Sequence, residues 1–203
     1  VDAVGASELE NAANGGLATP DKGQTTHFTT ADGEGNLVSW TSTIEQFFGT
    51  KMMVPDHGFM LNNELTDFDA VPGGPNEVAP GKRPLSSTSP TIVFEDGEPF
   101  MTVGSPGGKT IITTVSRIVL NVVEFGMSVE EAVAAPRVYK DAEPAVLYEP
   151  GVSEDVRRRL RDYGFRLAET PTDLGNAQVI RVTEDGRYVG VADARRDGSV
   201  IGL

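Results

Sequence analysis

Four short segments carry side chains whose types and spacing could do chemistry together. The first is Gln24-Thr25-Thr26-His27, where an Ala/Gly/Asn-rich stretch gives way to a β-prone run. A threonine hydroxyl needs a base to become a nucleophile, and one solution uses the residue's own free α-amine, which requires cutting the preceding peptide bond. The same pair equally fits two ordinary strand positions. The second segment, Gly104-Ser105-Pro106-Gly107-Gly108, joins a strand to an apolar helix. It reads as a tight turn, or as an oxyanion hole in which N–H groups freed at a helix start approach a developing alkoxide. The third, Lys82-Arg83-Pro84-Leu85-Ser86-Ser87-Thr88-Ser89-Pro90, gathers hydroxyls beside two cations. It is a polar loop or a grip on a carboxylate. The fourth, Leu61-Asn62-Asn63-Glu64-Leu65-Thr66-Asp67-Phe68, sets Glu64 and Asp67 three apart. If that segment turns helically, both carboxylates could face one pocket and bind an ammonium group; otherwise they stand on a solvated face.

The elements that must position these groups fit one domain. A chain of 203 residues, 38% hydrophobic, is enough for one core and too short for two full ones. Residues 1–24 lack hydrophobic periodicity and end in the turn-like Ala18-Thr19-Pro20-Asp21-Lys22-Gly23-Gln24, a linker composition. The folded domain is therefore expected over 25–203. Three hairpins are predicted: Thr25 to Ala31 with Leu37 to Thr43, Thr91 to Phe94 with Phe100 to Val103, and Ala177 to Val182 with Tyr188 to Ala192. Ile111, Val115, Ile118, Val119 and Val122 recur at helical spacing, which predicts a helix over 109–124. Ser128 with Glu131 is a capping-box start for a short helix that stops before Pro136, and a third helix is expected from Ser153 to Tyr163, closed by Gly164. Strand pairs, then helices, then a strand pair point to an α+β or layered architecture and away from a parallel βαβ fold.

Composition excludes several function classes. A net charge of −13 repels polyanions, so neither nucleic acid nor an anionic membrane surface is an expected partner. No run of eighteen apolar residues offers a membrane span. The absence of cysteine removes disulfide and thiolate chemistry, and the two histidines, His27 and His57, are too few for a histidine metal cluster. No metal and no cofactor is expected. Beside a nucleophile that carries its own amine, His27 is read as packing or hydrogen bonding.

Thr25-Thr26-His27, Phe48-Gly49-Thr50, Asn62 to Phe68, Lys82 to Pro90 and Gly104 to Gly108 occur in the order found in γ-glutamyltransferases. The chain strongly resembles the small, C-terminal subunit of that N-terminal-nucleophile family from residue 25 to about 200, including Ala135-Pro136-Arg137 and the closing Asp193 to Gly198. The resemblance implies a four-layer αββα sandwich completed by a large N-terminal subunit of the same precursor. It implies self-cleavage between Gln24 and Thr25, with Thr25 then forming an acyl-enzyme from a small γ-glutamyl donor such as glutathione or from poly-γ-glutamate. In this comparison Thr43 matches the threonine that orients the nucleophile, and Gly107 and Gly108 match the oxyanion pair. Ser86 and Ser87 match the serines holding the substrate α-carboxylate, and Asp67 matches the acid that pairs with its α-ammonium.

Two positions depart from the classical pattern: Glu45 stands where an asparagine is usual, and Glu64 where a glutamine is. Both belong to the α-amino pocket, where adjacent carboxylates either strengthen attraction to an ammonium or hold one another's protons. The stretch from Phe68 to Lys82 is short for the lid loop of many members, which implies an open site admitting larger donors and water. A glutaryl donor, as in related cephalosporin-acylase-like members, is the alternative substrate. An uncleaved, noncatalytic chain serving only as a subunit partner is the alternative from another class. A periplasmic or extracellular setting is suggested by the resemblance alone.

Overall fold

The computed structural model describes residues 25–202. The expected linker over 1–24, and with it Gln24, lies outside the described residues. The described residues open with an antiparallel ribbon of β1 (Thr25–Ala31) and β2 (Leu37–Thr43), in which Ala31 pairs with Leu37 and Thr25 with Thr43. Its turn fixes that register. Asp32 Oδ1 accepts from Glu34 N at 2.9 Å and from Asn36 N at 3.0 Å, while Gly35 takes a φ of 88°, a left-handed conformation open to glycine. Because side chains alternate across a strand, a slip of one residue would send Thr25 and Thr43 to opposite faces.

A four-stranded sheet follows, in the order β3-β4-β8-β9, from β3 (Thr91–Glu95), β4 (Glu98–Gly104), β8 (Gln178–Val182) and β9 (Tyr188–Ala192). Met101 to Gly104 of β4 are buried on both faces, because the ribbon covers one and helices cover the other. On the helical side, α1 (Ile111–Val123) presents Ile111, Val115, Ile118 and Val122 to Met101, Val103 and Val179. Helix α2 (Val129–Ala134) adds Val129, Ala132 and Val133, and its start at Ser128 is the predicted capping box. On the ribbon side the contact is polar. Thr29 and Thr102 share a hydroxyl hydrogen bond, and Ser39 Oγ accepts from Thr91 N at 3.1 Å.

The remainder is a small sheet of β5 (Val138–Tyr139), β6 (Ala145–Tyr148) and β7 (Arg166–Leu167), with α3 (Glu154–Asp162) linking β6 to its parallel neighbour β7. This one parallel unit was not expected. Strands of two residues are too short to show the alternation that identifies a strand. Helix α1 also begins two residues later than periodicity suggests, since Gly108–Thr110 form a separate 3₁₀ turn. No described helix is long and apolar enough to cross a membrane.

Candidate active site

Thr25 and Thr43 face each other across the open end of the ribbon, on the side that meets the sheet. Thr25 Oγ1 donates to Thr43 Oγ1 at 2.9 Å, and Thr43 Oγ1 also accepts from Glu45 N at 2.9 Å. The second hydroxyl is thus held by the main chain and in turn orients the first. Glu45 takes a φ of 72°, in the left-handed region that a residue with a side chain adopts at a cost. That bend turns its carboxylate toward Asn63, whose Nδ2 donates to Glu45 Oε2 at 2.5 Å and to Thr66 Oγ1 at 3.3 Å.

The segment after Asn63 does turn, as a 3₁₀ helix over Glu64–Asp67. Glu45, Glu64 and Asp67 therefore lie within mutual electrostatic reach. Burial, then the charge of Asp67, pushes Glu64 up to about 7, and burial raises Glu45 and Asp67 as well. Near neutral pH this trio holds a proton that a bound cation could displace.

At the end of β4 the chain turns through Gly107 (φ 138°) and Gly108 (φ 53°) into α1. A Cβ on Gly107 would meet Thr110 Oγ1 at 2.5 Å and Gly175 Cα at 3.2 Å, so glycine is required there on both counts. The hydrogen bonds of the turn run through carbonyls. Gly107 O accepts from Thr110 N at 3.0 Å, and Gly108 O from Ser87 Oγ at 2.8 Å. The N–H groups of Gly107 and Gly108 take part in neither, which is the disposition an oxyanion hole needs. Ser86 Oγ pairs with Thr88 Oγ1 at 3.0 Å on the exposed side of the same loop.

No hydrogen bond joins Thr25 to the Gly107–Gly108 turn; His27 relates them. Its ring is buried, 5% exposed, and lies flush on Gly104, where a Cβ would sit 2.1 Å from Cε1. His27 Nδ1 lies 2.8 Å from Thr41 Oγ1, and burial lowers its pKa to about 4, so it is neutral at ordinary pH. That fits packing and a hydrogen bond, the role read for it from sequence.

Two features had no role assigned from the sequence. One is the pair of asparagines, Asn63 and Asn76, whose carboxamides bridge residues far apart in the chain. The other lies behind the glycine turn, where Arg137, Glu149, Asp193 and Arg195 form a buried ion network. Arg137 Nη2 meets Asp193 Oδ2 at 2.7 Å, Arg195 Nε meets Glu149 Oε1 at 2.6 Å, and Arg195 Nη1 meets Asp193 Oδ1 at 2.9 Å. The network grips residues 174–177 by their main chain: Arg137 Nη1 donates to Leu174 O at 2.7 Å, and Asp193 Oδ2 accepts from Ala177 N at 3.0 Å. Between those anchors Gly175 packs against Gly107, and Asn176 N donates to buried Ser105 Oγ at 2.8 Å. The ion network therefore positions the glycine turn from behind.

Comparison with known proteins places this arrangement. Residues 3–203 match the family described as gamma-glutamyltranspeptidase. The chain is 54% identical over 183 residues to a glutathione hydrolase proenzyme of Bacillus subtilis, covering 90% of this chain and 31% of that relative. It thus spans about a third of the length of the proenzymes it matches. The solved gamma-glutamyltranspeptidase of Pseudomonas nitroreducens superimposes with a TM-score of 0.80 at 34% identity, covering 88% of this chain and 99% of that one. A cephalosporin acylase from Bacillus halodurans superimposes with a TM-score of 0.81 at 27% identity, covering 86% of this chain and 33% of that one. The architecture is the α+β sandwich of the N-terminal-nucleophile hydrolases.

Proposed function

Because the chain belongs to the gamma-glutamyltranspeptidase family, we propose that it is the catalytic C-terminal part of a self-cleaving precursor that transfers or hydrolyses γ-glutamyl groups, with Thr25 as nucleophile. The observation that carries the reading is the hydroxyl pair at the head of β1, Thr25 Oγ1 to Thr43 Oγ1 at 2.9 Å. In maturation the Thr25 hydroxyl attacks the Gln24 carbonyl, the acyl group shifts from nitrogen to oxygen, and water hydrolyses the ester. This frees the Gln24 carboxylate and the Thr25 α-amine. In turnover that amine takes the hydroxyl proton as Thr25 attacks the donor amide, then delivers it to the leaving amine. The Gly107 and Gly108 N–H groups receive the developing oxyanion. Water or an amino acid's amine then resolves the acyl-enzyme, regenerating the hydroxyl.

Substrate selection falls to the two polar walls. Ser86 and Ser87 take the donor α-carboxylate, and Glu45, Glu64 and Asp67 take its α-ammonium. The three clustered carboxylates favour a γ-glutamyl donor, since a glutaryl donor would leave them without a cation. The likeness to the B. halodurans acylase supports glutaryl as the second reading. The large subunit is the proposed partner. The outer face of the ribbon carries Phe28, Val38 and Trp40, each more than 40% exposed, with the two rings stacked at 6.0 Å. Such a patch marks an interface.

The test uses the full-length precursor. Intact mass is expected to show a species beginning at Thr25, and Thr25→Ala is expected to abolish both cleavage and turnover of γ-glutamyl-p-nitroanilide. Turnover that survives Thr25→Ala removes the nucleophile from this residue. Wild-type chain that stays uncut and inactive makes it a subunit partner only. A strong preference for the glutaryl anilide turns the assignment to an acylase.

A further inference from the structure

Resting on that reading of the two polar walls, a specificity-determining role falls to a residue that touches neither donor group. The walls come from distant parts of the chain, the 3₁₀ turn Glu64–Asp67 and the serines at 86 and 87. Between them runs an irregular loop in which Phe68 is buried at the start, while beyond it Val71 is 72% exposed, Val78 62% and Leu85 72%. Past Phe68, apolar burial therefore does not shape this loop. Hydrogen bonds do, and four of them converge on Asn76.

Asn76 Nδ2 donates to Asp67 O at 2.7 Å and to Asp69 Oδ1 at 3.2 Å, while its Oδ1 accepts from Leu85 N at 2.9 Å. Its main-chain oxygen accepts from Asp69 N at 2.9 Å. The partners fix which end of the amide is which, because Asp67 O can only accept and Leu85 N can only donate. Lys82 closes the loop from the other side, its Nζ donating to Pro75 O at 2.7 Å and Glu77 O at 2.8 Å. One carboxamide thus spans from the residue proposed to bind the ammonium to the residue immediately before the serines proposed to bind the carboxylate. Ser87 is anchored separately to Gly108 O at 2.8 Å, on a glycine turn that the buried ion network holds from behind.

We propose that Asn76 is a positioning residue that sets the distance between the ammonium and carboxylate subsites and thereby selects donors bearing both groups on one carbon. A γ-glutamyl group must satisfy the two subsites at once and feels their spacing. A glutaryl group engages only the carboxylate side and does not.

The experiment compares wild-type precursor with Asn76→Ala and Asn76→Asp. The aspartate keeps the shape but turns an acceptor toward Asp67 O and the Asp69 carboxylate. Both variants are expected to cleave themselves at the wild-type rate, since cleavage does not use the donor pocket. KM for γ-glutamyl-p-nitroanilide is expected to rise about tenfold or more, on the scale of one or two lost hydrogen bonds, with kcat changed less than about threefold. KM for glutaryl-p-nitroanilide is expected to stay within about twofold, so that discrimination between the donors falls. A proportional rise for both donors, an unchanged KM for the γ-glutamyl donor, or failure of both variants to cleave overturns the proposal. Wild-type enzyme that takes the glutaryl donor and refuses the γ-glutamyl one overturns the functional reading and this proposal with it.

Discussion

Gly104→Ala is the sharpest test of how the nucleophile strand is held against the glycine turn. The new Cβ would stand 2.1 Å from His27 Cε1, 2.4 Å from Nδ1 and 2.5 Å from Nε2. Ordinary contact begins at 3.4 Å, so ring and methyl must separate by about 1.3 Å, the difference between 3.4 and 2.1 Å. The ring has little room to yield, being 5% exposed and bonded through Nδ1 to Thr41 Oγ1 at 2.8 Å. Gly104 ends the inner strand β4, paired with Gln178 of β8 and buried. The ribbon must lift instead. Overpacking of this kind costs about 1–3 kcal/mol, and a weakened His27–Thr41 bond adds about 0.5–1.5 kcal/mol, a loss of roughly 1.5–4.5 kcal/mol.

The effect on chemistry is expected to exceed the effect on stability. His27 is two residues from Thr25 on the same face of β1, so a lifted ribbon carries the nucleophile away from Gly107 and Gly108. A misplacement near 1 Å costs on the order of a hundredfold in rate. In full-length precursor, Gly104→Ala should slow the appearance of a Thr25 N-terminus by about that factor, read by intact mass over time. Whatever matures should show a comparable loss in kcat for γ-glutamyl-p-nitroanilide with little change in KM. Adding His27→Ala vacates the space the methyl needs, and the double variant should regain part of both rates, a positive coupling in the double-mutant cycle. Gly104→Ala precursor that cleaves and turns over like wild type would refute the ring as the spacer between β1 and β4.

Three further outcomes are expected. In wild-type enzyme, kcat/KM for a γ-glutamyl donor should rise with pH through about 7 as Glu64 loses its proton and gains attraction for the ammonium; Glu64→Gln should erase that limb and leave the ionisation of the Thr25 amine, and a profile unaltered by Glu64→Gln excludes the assignment. The same shift makes stability fall with rising pH, because the contribution of a carboxyl raised from 4.5 to about 7 is fully present below 4.5 and lost as pH climbs through 7. Thr43→Val should lower kcat about 10–100-fold with KM little changed, by freeing the Thr25 hydroxyl and stripping Glu45 N of its acceptor, while Thr43→Ser restores most of the rate; equal rates for Val and Ser would show that the hydroxyl orients nothing. Asp193→Ala leaves the buried Arg137 guanidinium, 3% exposed, without its nearest carboxylate and should cost about 3–5 kcal/mol; the urea midpoint reports it, and a midpoint within error of wild type would mean the network carries no such load.

What could be read from the sequence was whatever repeats locally or lies within one turn. The ribbon was legible because β-prone runs flank Asp32 to Asn36, and α1 because Ile111, Val115, Ile118 and Val122 recur at helical spacing. The sequence predicted the hairpin, and Thr43 entered through the resemblance; the register set at the turn then propagates outward and pairs Thr25 with Thr43. The Glu64–Asp67 turn was legible as a condition on spacing and is met. By contrast, the β5-β6-β7 sheet left no pattern, because two-residue strands cannot alternate. Asn63, Arg137, Asp193 and Arg195 stood within the motif segments, yet neither they nor Asn76 had a role that spacing could show, for a different reason. Their partners are main-chain atoms and side chains 2 to 62 positions away, and a carboxamide that accepts from Leu85 N looks in sequence like any loop asparagine. The site divides along the same line. The groups proposed to touch substrate are short-range constellations of hydroxyls, carboxylates and glycines, visible as a type and a spacing except for Glu45, which the resemblance supplied. The groups that set the distances among those constellations are long-range, and only folding reveals which of 203 residues they are. Substituting a group of the first kind should therefore remove activity outright, whereas substituting one of the second should alter which donor is accepted, or how fast Thr25 is released, with the chemistry left in place.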